Sequence, residues 1–217
     1  MNKHRPQILQ YYFSVEGDTE AWYLEWLQKK INENDFCKVK FLIKTEKSPI
    51  KYVRGLSIIQ RTNVWHLCDY ESADVEHTRQ FTNTIDEMNR ARKLKQVTYH
   101  FGYSNFAFDL WIILHRKPCN GAKCHRRQYI TEINDAYNKK FEDMHQYKHE
   151  DNFKKCLSIL TLNDVKCAIT RAKNIMQNLR NNGLVMQKYK GYTYYKENPS
   201  LAVHEIIEKI LTDCQLI

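Results

Sequence analysis

The stretch FSVEGDTEAWYLEWL, from Phe13 to Leu27, decides how the amino-terminal part of the chain folds. It opens with apolar, β-prone residues, and Gly17 interrupts them directly after Glu16. Asp18 or Thr19 can then cap a helix whose apolar faces consist of aromatic residues and leucines. The stretch therefore predicts a buried strand, a turn and a helix. It leaves open whether the acids at the turn serve only that turn or also bind a metal ion.

The alternation of strand and helix continues along the first half of the chain. Apolar runs rich in β-branched and aromatic residues predict four strands, at Gln7–Val15, Lys38–Thr45, Asn63–Tyr70 and Gln96–Ser104. Helices are predicted after the later strands, at Ser48–Gln60, Asp74–Leu94 and Asn105–Arg116. Such alternation is typical of an α/β fold, so we expect a mostly parallel, four-stranded sheet flanked by helices.

Strand signals fade beyond about residue 120. Helices are predicted at 136–141, 152–160 and 162–179, with Gly183 as a stop signal. A last helix is predicted within NPSLAVHEIIEKIL, with Pro199 and Ser200 near its start. We therefore divide the chain into an α/β core, 1–118, and a mainly helical extension, 119–217, packed on that core as one compact unit.

The charge of the chain is concentrated in its second half. The 217 residues carry a formal net charge of +9. Residues 1–110 hold 16 lysines and arginines against 14 acids, whereas residues 111–217 hold 18 against 11. No acid occurs from Leu110 to Thr131, a segment that contains Arg116, Lys117, Lys123, Arg126 and Arg127. This basic segment is compatible with a surface that binds a polyanion, and equally with an ordinary solvated face.

Several classes of protein do not fit the sequence. No apolar run approaches the ~18 residues that cross a bilayer, and the amino terminus lacks the layout of a signal peptide, so we expect a cytoplasmic protein. Seven irregularly spaced cysteines do not suggest a disulfide framework. Cys119, Cys124 and His125 lie close together without obvious further ligands, so metal binding there stays open. There is no Walker loop, GxGxxG or GxSxG motif.

Acidic residues follow two of the predicted strands. Glu16 comes directly after the first strand and Asp69 ends the third, with Glu20 and Glu71 close behind them. The carboxyl ends of parallel strands share one edge of a sheet, where ligands gather. Grouped carboxylates suit a hard cation such as Mg²⁺ or Mn²⁺. Taken singly, each acid could instead favour a helix dipole, form a turn or cap a helix, as Asp74 also could.

Three blocks of sequence, the first made up of two segments, resemble known families. VEGDTE, Val15–Glu20, and DYE, Asp69–Glu71, resemble the Toprim metal-binding pattern. SNFAFDLWIILHR, Ser104–Arg116, is similar to a signature of the RloB family, and NPSLAVHEIIEKI, Asn198–Ile210, is similar to that family's closing helix. The chain departs from these patterns at Phe106, where the family has proline, at Asp109, and in having DxE rather than DxD.

The resemblance implies specific roles for these residues. Glu16 would be the general acid or base or a metal ligand, Asp69 and Glu71 would be metal ligands, and Glu20 would support them. A second block would support the site, comprising Ser104, Asn105, Asp109 and His115. Asn105 could equally cap the following helix, and His115 could equally be a core histidine.

The resemblance also implies a Toprim-like nuclease of a prokaryotic restriction or phage-defence system, often encoded beside an ATPase partner. We therefore expect an Mg²⁺- or Mn²⁺-dependent phosphodiesterase acting on DNA or RNA, with tRNA a plausible target. The basic segment defined above would bind the substrate phosphates. The alternative is a non-catalytic or partner-controlled effector that binds nucleic acid, an ATPase, or both. A homo-oligomer is compatible with either function.

Overall fold

A computed structural model of the chain describes residues 8–217, so Gln7 of the first predicted strand lies outside the described residues. The fold is built on a sheet with the strand order β2-β1-β3-β4-β7. Its strands are β1 (Ile8–Val15), β2 (Lys38–Thr45), β3 (Thr62–Asp69), β4 (Val97–Asn105) and β7 (Ser200–Leu201). The four long strands are parallel, as the sequence predicts, and β7 runs antiparallel to β4.

Helices surround the sheet and form most of the extension. They are α1 (Asp18–Asn32), α2 (Pro49–Gly55), α3 (Val75–Ala91), α4 (Asp109–Leu114), α5 (Tyr129–Tyr137), α6 (Met144–Lys148), α7 (Glu150–Ser158), α8 (Leu162–Asn181) and α9 (Val203–Asp213). A 3₁₀ turn at Arg126–Gln128 precedes α5. Ser48 and Asp74 cap α2 and α3 with their side chains, as their positions in the sequence indicate.

The two faces of the sheet are covered by different helices. Alternate residues of β1, such as Phe13 and Val15, belong to a core cluster shared with α1, α4, α8 and α9. Val64 and Tyr99 point to the opposite face, where they pack against α2 and α3. The central strands β1 and β3 are thus covered on both faces, which explains why their sequences read as nearly continuous apolar runs.

Four predictions for the helices need correction. The helix predicted at Ser48–Gln60 ends at Gly55, as α2, because Leu56 adopts an extended conformation. The helix predicted at 136–141 lies earlier, as α5, and ends at Tyr137 because Asn138 adopts a left-handed conformation. Of the helix predicted at 105–116, only Asp109–Leu114 is helical, as α4. The last helix begins at Val203, since the predicted start around Ser200 is recruited into the sheet as β7.

The tyrosine-rich segment 189–196 contains the second strand of a hairpin. Strands β5 (Gln187–Tyr189) and β6 (Tyr192–Tyr194) pair antiparallel, and the turn residues Lys190 and Gly191 both have positive φ. Tyr194 is buried against Phe81 of α3. The hairpin is therefore packed on the domain through the side chain of Tyr194.

The strand order reverses between β1 and β3. From β1 the chain first adds β2 on one side, and then β3 and β4 on the other. In open α/β sheets, the crevice at such a reversal is where ligands bind. The topology therefore places the carboxyl ends of β1 and β3, with their acids, at the favoured ligand-binding position. None of the helices within residues 8–217 is long and apolar enough to cross a membrane.

Candidate active site

Glu16 and Asp69 meet at the point where the strand order reverses. The backbone N–H of Asp69 donates a hydrogen bond of 3.3 Å to Oε2 of Glu16. The two residues line a cleft of about 270 Å³ together with further charged side chains, namely Asp18, Glu20, Lys47, Glu71 and Lys148. The structure thus brings all four acids that the sequence singles out as catalytic to one cleft.

Glu20 is buried in the first turn of α1. Its Oε2 accepts a hydrogen bond of 2.9 Å from the hydroxyl of Thr19. The predicted cap by Asp18 or Thr19 is not formed, since Gly17 occupies the N-cap position without a side chain. A Cβ atom at Gly17 would lie 3.1 Å from Oε2 of Glu20, so glycine there leaves room for the folded-back carboxylate.

Asp69 and Asp109 lie on the face of the sheet that α1 and α4 cover. Oδ1 of Asp69 accepts a hydrogen bond of 2.8 Å from the backbone N–H of Phe108. Asp109 is only 1% exposed, and Nζ of Lys148 lies 3.0 Å from its Oδ2. Within residues 8–217, neither oxygen of Asp109 receives a hydrogen bond of acceptable geometry. Lys148, which belongs to α6 of the extension, was not anticipated from the sequence.

The carboxyl groups of the cleft hold protons more tightly than usual. Burial raises the pKa of Glu16 to about 7, and the charge of Glu20 acts in the same direction. Burial, reinforced by the charges of Glu20 and Glu16, raises the pKa of Asp69 well above its ordinary value. Burial likewise raises the pKa of Glu20, against the opposing effects of hydrogen bonds and Lys148. A cation placed among these groups would relieve their mutual repulsion.

Lys148 already supplies one positive charge to this cluster. Burial by itself would lower the pKa of its ammonium group, but the charges of Asp109, Asp69 and Glu20 outweigh burial and raise that pKa. The side chain is nevertheless 37% exposed. Lys148 therefore stays protonated at neutral pH and remains in contact with solvent.

Glu71 lies at the rim of the cleft and is engaged by cationic groups. Its Oε1 is 2.9 Å from a guanidinium nitrogen of Arg126, and its Oε2 is 3.3 Å from Nε2 of His77. His77 in turn lies 2.7 Å from Oδ2 of Asp74, the cap of α3. Glu71 is thus held outward by its neighbours rather than buried with Asp69.

The residues of the second block lie in different parts of the structure. Ser104 is buried and belongs to β4, where it pairs with Leu201 of β7. Asn105 donates from Nδ2 to the carbonyl oxygens of Lys196 and Glu197, and so fixes the segment before β7 instead of capping a helix. The Asn105–Phe106 peptide bond is cis.

Of this block, His115 packs in the helical core. Its Nδ1 lies 2.9 Å from the carbonyl oxygen of Trp111, and its Nε2 lies 3.2 Å from the hydroxyl of Tyr23. Burial lowers its pKa to about 4. Asp109 alone of the four residues in the second block reaches the acidic cluster, through Lys148.

The basic segment divides into two groups. Arg116 pairs with Asp164, and Lys117 and Lys123 both pair with Glu132, so acids from the extension neutralise the first three cations. Arg126 and Arg127 instead line a second cleft of about 590 Å³. This cleft shares Trp22 and Lys148 with the acidic cleft. Arg126 and Arg127 are therefore the members of the segment that lie beside the acids.

A second set of donors lies on the other face of the sheet. Glu16, His66 and Cys68 each offer one ligand atom, and these atoms lie within 4.8 Å of one another, so the group could hold a metal ion. Burial lowers the pKa of His66 to about 4 and raises that of Cys68. This group was not predictable from the sequence, because His66 and Cys68 lie inside an apolar strand.

Cys119, Cys124 and His125 do not form such a group in the part of the chain that the structure describes. Cys119 is buried and Cys124 is exposed. His125 caps the 3₁₀ turn by accepting a hydrogen bond from the backbone N–H of Arg127.

Comparison with known proteins places the chain in a family. No curated protein and no solved structure matches it. The model of the RloB-like protein family matches residues 11–210, which is nearly the whole chain. This chain therefore belongs to the RloB-like protein family.

Proposed function

We propose that this chain is a metal-dependent phosphodiesterase that cuts DNA or RNA. The observation that carries the proposal is the convergence of Glu16 and Asp69 where the strand order reverses, with Glu20 and Glu71 lining the same cleft. Carboxylates from two neighbouring parallel strands are brought together at a ligand-binding edge without any nucleotide-binding glycine loop. Metal-assisted hydrolysis is the chemistry that such a set of residues supports best.

The donor set fits a hard divalent cation. Glu16, Asp69 and Glu71 offer oxygen ligands only, which favours Mg²⁺ or Mn²⁺. The pKa values of Glu16 and Asp69 are raised first by burial and then by the charges of neighbouring carboxylates, and a cation would relieve the second of these effects. A bound Mg²⁺ would polarise the scissile phosphate and lower the pKa of an attacking water.

The remaining charged groups suit a polyanionic substrate. Arg126, Arg127 and Lys148 flank the acids across the two adjoining clefts, where they would bind phosphates on either side of the scissile bond. If Asp69 and Glu71 hold the cation, Glu16 would instead act as the general acid or base. Glu20, whose carboxylate accepts a hydrogen bond from Thr19, would make the electrostatic potential of the cleft more negative. It would also help to orient the carboxylates that bind the metal.

The biological setting follows from the family resemblance. We propose a Toprim-like catalytic core in a prokaryotic phage-defence or restriction-associated system, with an ATPase partner and with DNA or RNA, tRNA included, as substrate. The four parallel strands and the acids after β1 and β3 are compatible with that core.

Cleavage by the purified chain tests the proposal. A panel of tRNA, single-stranded DNA and duplex DNA would be incubated with Mg²⁺, Mn²⁺ or EDTA. We expect metal-dependent cutting that Glu16→Gln and Asp69→Asn abolish. The exposed acids provide matched controls, Glu25→Gln and Asp151→Asn, which should cut like the wild type. Cutting that persists in EDTA, or in both site variants, would refute the assignment.

A second candidate is an effector that its own charges or a partner hold inactive. Lys148 beside Asp109 and Arg126 beside Glu71 already neutralise acids of the two adjoining clefts, which is the arrangement expected of a site awaiting release. In that case the isolated chain would bind metal but cut nothing. Addition of the ATPase would then restore cutting, or would guide the chain to bind nucleic acid. Robust cutting by the isolated chain would exclude this candidate.

A further inference from the structure

The second donor set of Glu16, His66 and Cys68 is organised by the pairing of β1 with β3. Ser14 lies opposite His66 and Val15 lies opposite Leu67, so Glu16 continues this register beside Cys68. Side chains two residues apart in a strand share one face. The three donors are therefore placed together by the most regular part of the fold.

The hydrogen bonds of His66 are those expected of a metal ligand. Its Nδ1 lies 2.8 Å from the hydroxyl oxygen of Ser14, which lies 3.1 Å from the hydroxyl of Tyr99. Its Nε2 is fully buried and has no hydrogen-bond partner among residues 8–217. Metal-binding histidines commonly fix one ring nitrogen through such a hydrogen bond and bind the metal with the other. A buried polar atom without a partner is destabilising, and a bound ion would supply the missing partner.

The donor types differ from those of the acidic cleft. An imidazole nitrogen and a thiolate sulfur favour Zn²⁺ and similar transition metals, whereas Mg²⁺ prefers oxygen. Asp69 follows Cys68 in β3, so its side chain points to the opposite face of the sheet. Glu16 is the one residue common to both sets.

We propose that Glu16, His66 and Cys68 form a second metal site, which binds Zn²⁺ or a similar transition-metal ion on the face of the sheet covered by α2 and α3. The site goes beyond the proposed phosphodiesterase activity and does not depend on it. Three protein ligands leave one position of a tetrahedral ion free for water or another small ligand. Binding replaces the proton of the Cys68 thiol by the metal, and that proton passes to solvent.

Cobalt substitution tests the site without any assay of activity. The chain, freed of metal by a chelator, would be titrated with Co²⁺ and followed by absorption spectroscopy, and Zn²⁺ would then be added. We expect a sulfur-to-cobalt charge-transfer band that Zn²⁺ abolishes by displacement. Folded wild type that binds Co²⁺ without this band would overturn the proposal.

Single substitutions identify the ligands. Cys68→Ser should remove the band and weaken Zn²⁺ binding by more than about 100-fold, because it removes a direct ligand. Cys156→Ser, at another buried cysteine, is the matched control and should keep the band. Asp69→Asn should also keep it, which separates this site from the Mg²⁺ site. A band that survives in Cys68→Ser would place the metal elsewhere and refute the assignment.

Discussion

Lys148→Met tests whether the positive charge in the acidic cluster holds the extension to the core. Asp109 is 1% exposed, and removing its cationic partner leaves a buried carboxylate without compensation. Breaking a buried ion pair in this way typically costs about 3–5 kcal/mol. Because the Lys148 side chain is 37% exposed, solvent screens the pair on one side, and we take the lower end, about 3 kcal/mol. For a chain of this size that corresponds to about 6–12 °C in Tm.

A double-mutant cycle isolates the pair. Asp109→Asn removes the buried charge while Lys148 can still reach solvent, so we expect this single variant to cost less than about 1 kcal/mol. In the double variant the uncompensated charge no longer exists. Lys148→Met should therefore cost about 2 kcal/mol less in the Asp109→Asn background than in the wild type.

Urea denaturation followed by circular dichroism provides the measurement. Lys154→Met is the matched control, since Lys154 forms an exposed ion pair with Glu150 and its loss should change stability little. Mg²⁺ or Mn²⁺ should stabilise Lys148→Met more than the wild type, because the ion replaces the missing charge. A Lys148→Met variant as stable as the control, or one that Asp109→Asn does not rescue, would refute the reasoning.

Two further predictions concern the hairpin and a buried histidine. Gly191→Ala should destabilise the chain by about 1 kcal/mol, because φ is +90° and no neighbouring atom lies within 4 Å, so only backbone strain acts. The control Gly121→Ala, at a glycine in open space without a positive φ, should change the urea midpoint little. Equal shifts of the midpoint in both variants would contradict the role of backbone strain at Gly191. Burial lowers the pKa of His115 from 6.5 to about 4, so the unfolded chain binds a proton that the folded chain does not, and stability falls as pH drops from 7 towards 4. Between pH 7 and pH 5, His115→Gln should lose about 2 kcal/mol less stability than the wild type, whereas the exposed control His145→Gln should follow the wild type.

The sheet core was predictable because its signals are local. Each of the four long strands is a continuous run of β-prone residues, and Glu16 and Asp69 follow directly from the ends of two such runs. Strand β7 was not predictable, since its two residues are defined only by pairing with β4. Because Ser200 and Leu201 form this strand, the last helix starts later than predicted, at Val203.

The environment of the site depends on contacts that are distant in sequence. Lys148 lies 39 residues beyond Asp109, and the acids nearest to it in the sequence are others, such as Glu150 and Asp151. The basic segment has no acid within it, yet Glu132 and Asp164 neutralise three of its cations after folding. His66 and Cys68 were hidden because, inside an apolar strand, they resemble ordinary core residues.

The short strand β7 also affects how the molecule behaves in concentrated solution. An unpaired sheet edge is a template for strand addition by another copy. Here β7 pairs with the end of β4, and the hydroxyl of Tyr192 covers the carbonyl oxygen of Tyr99 further along the same edge. On the opposite edge, β2 carries the exposed charges of Lys40 and Lys44. Both margins of the sheet thus oppose its continuation into a neighbouring molecule.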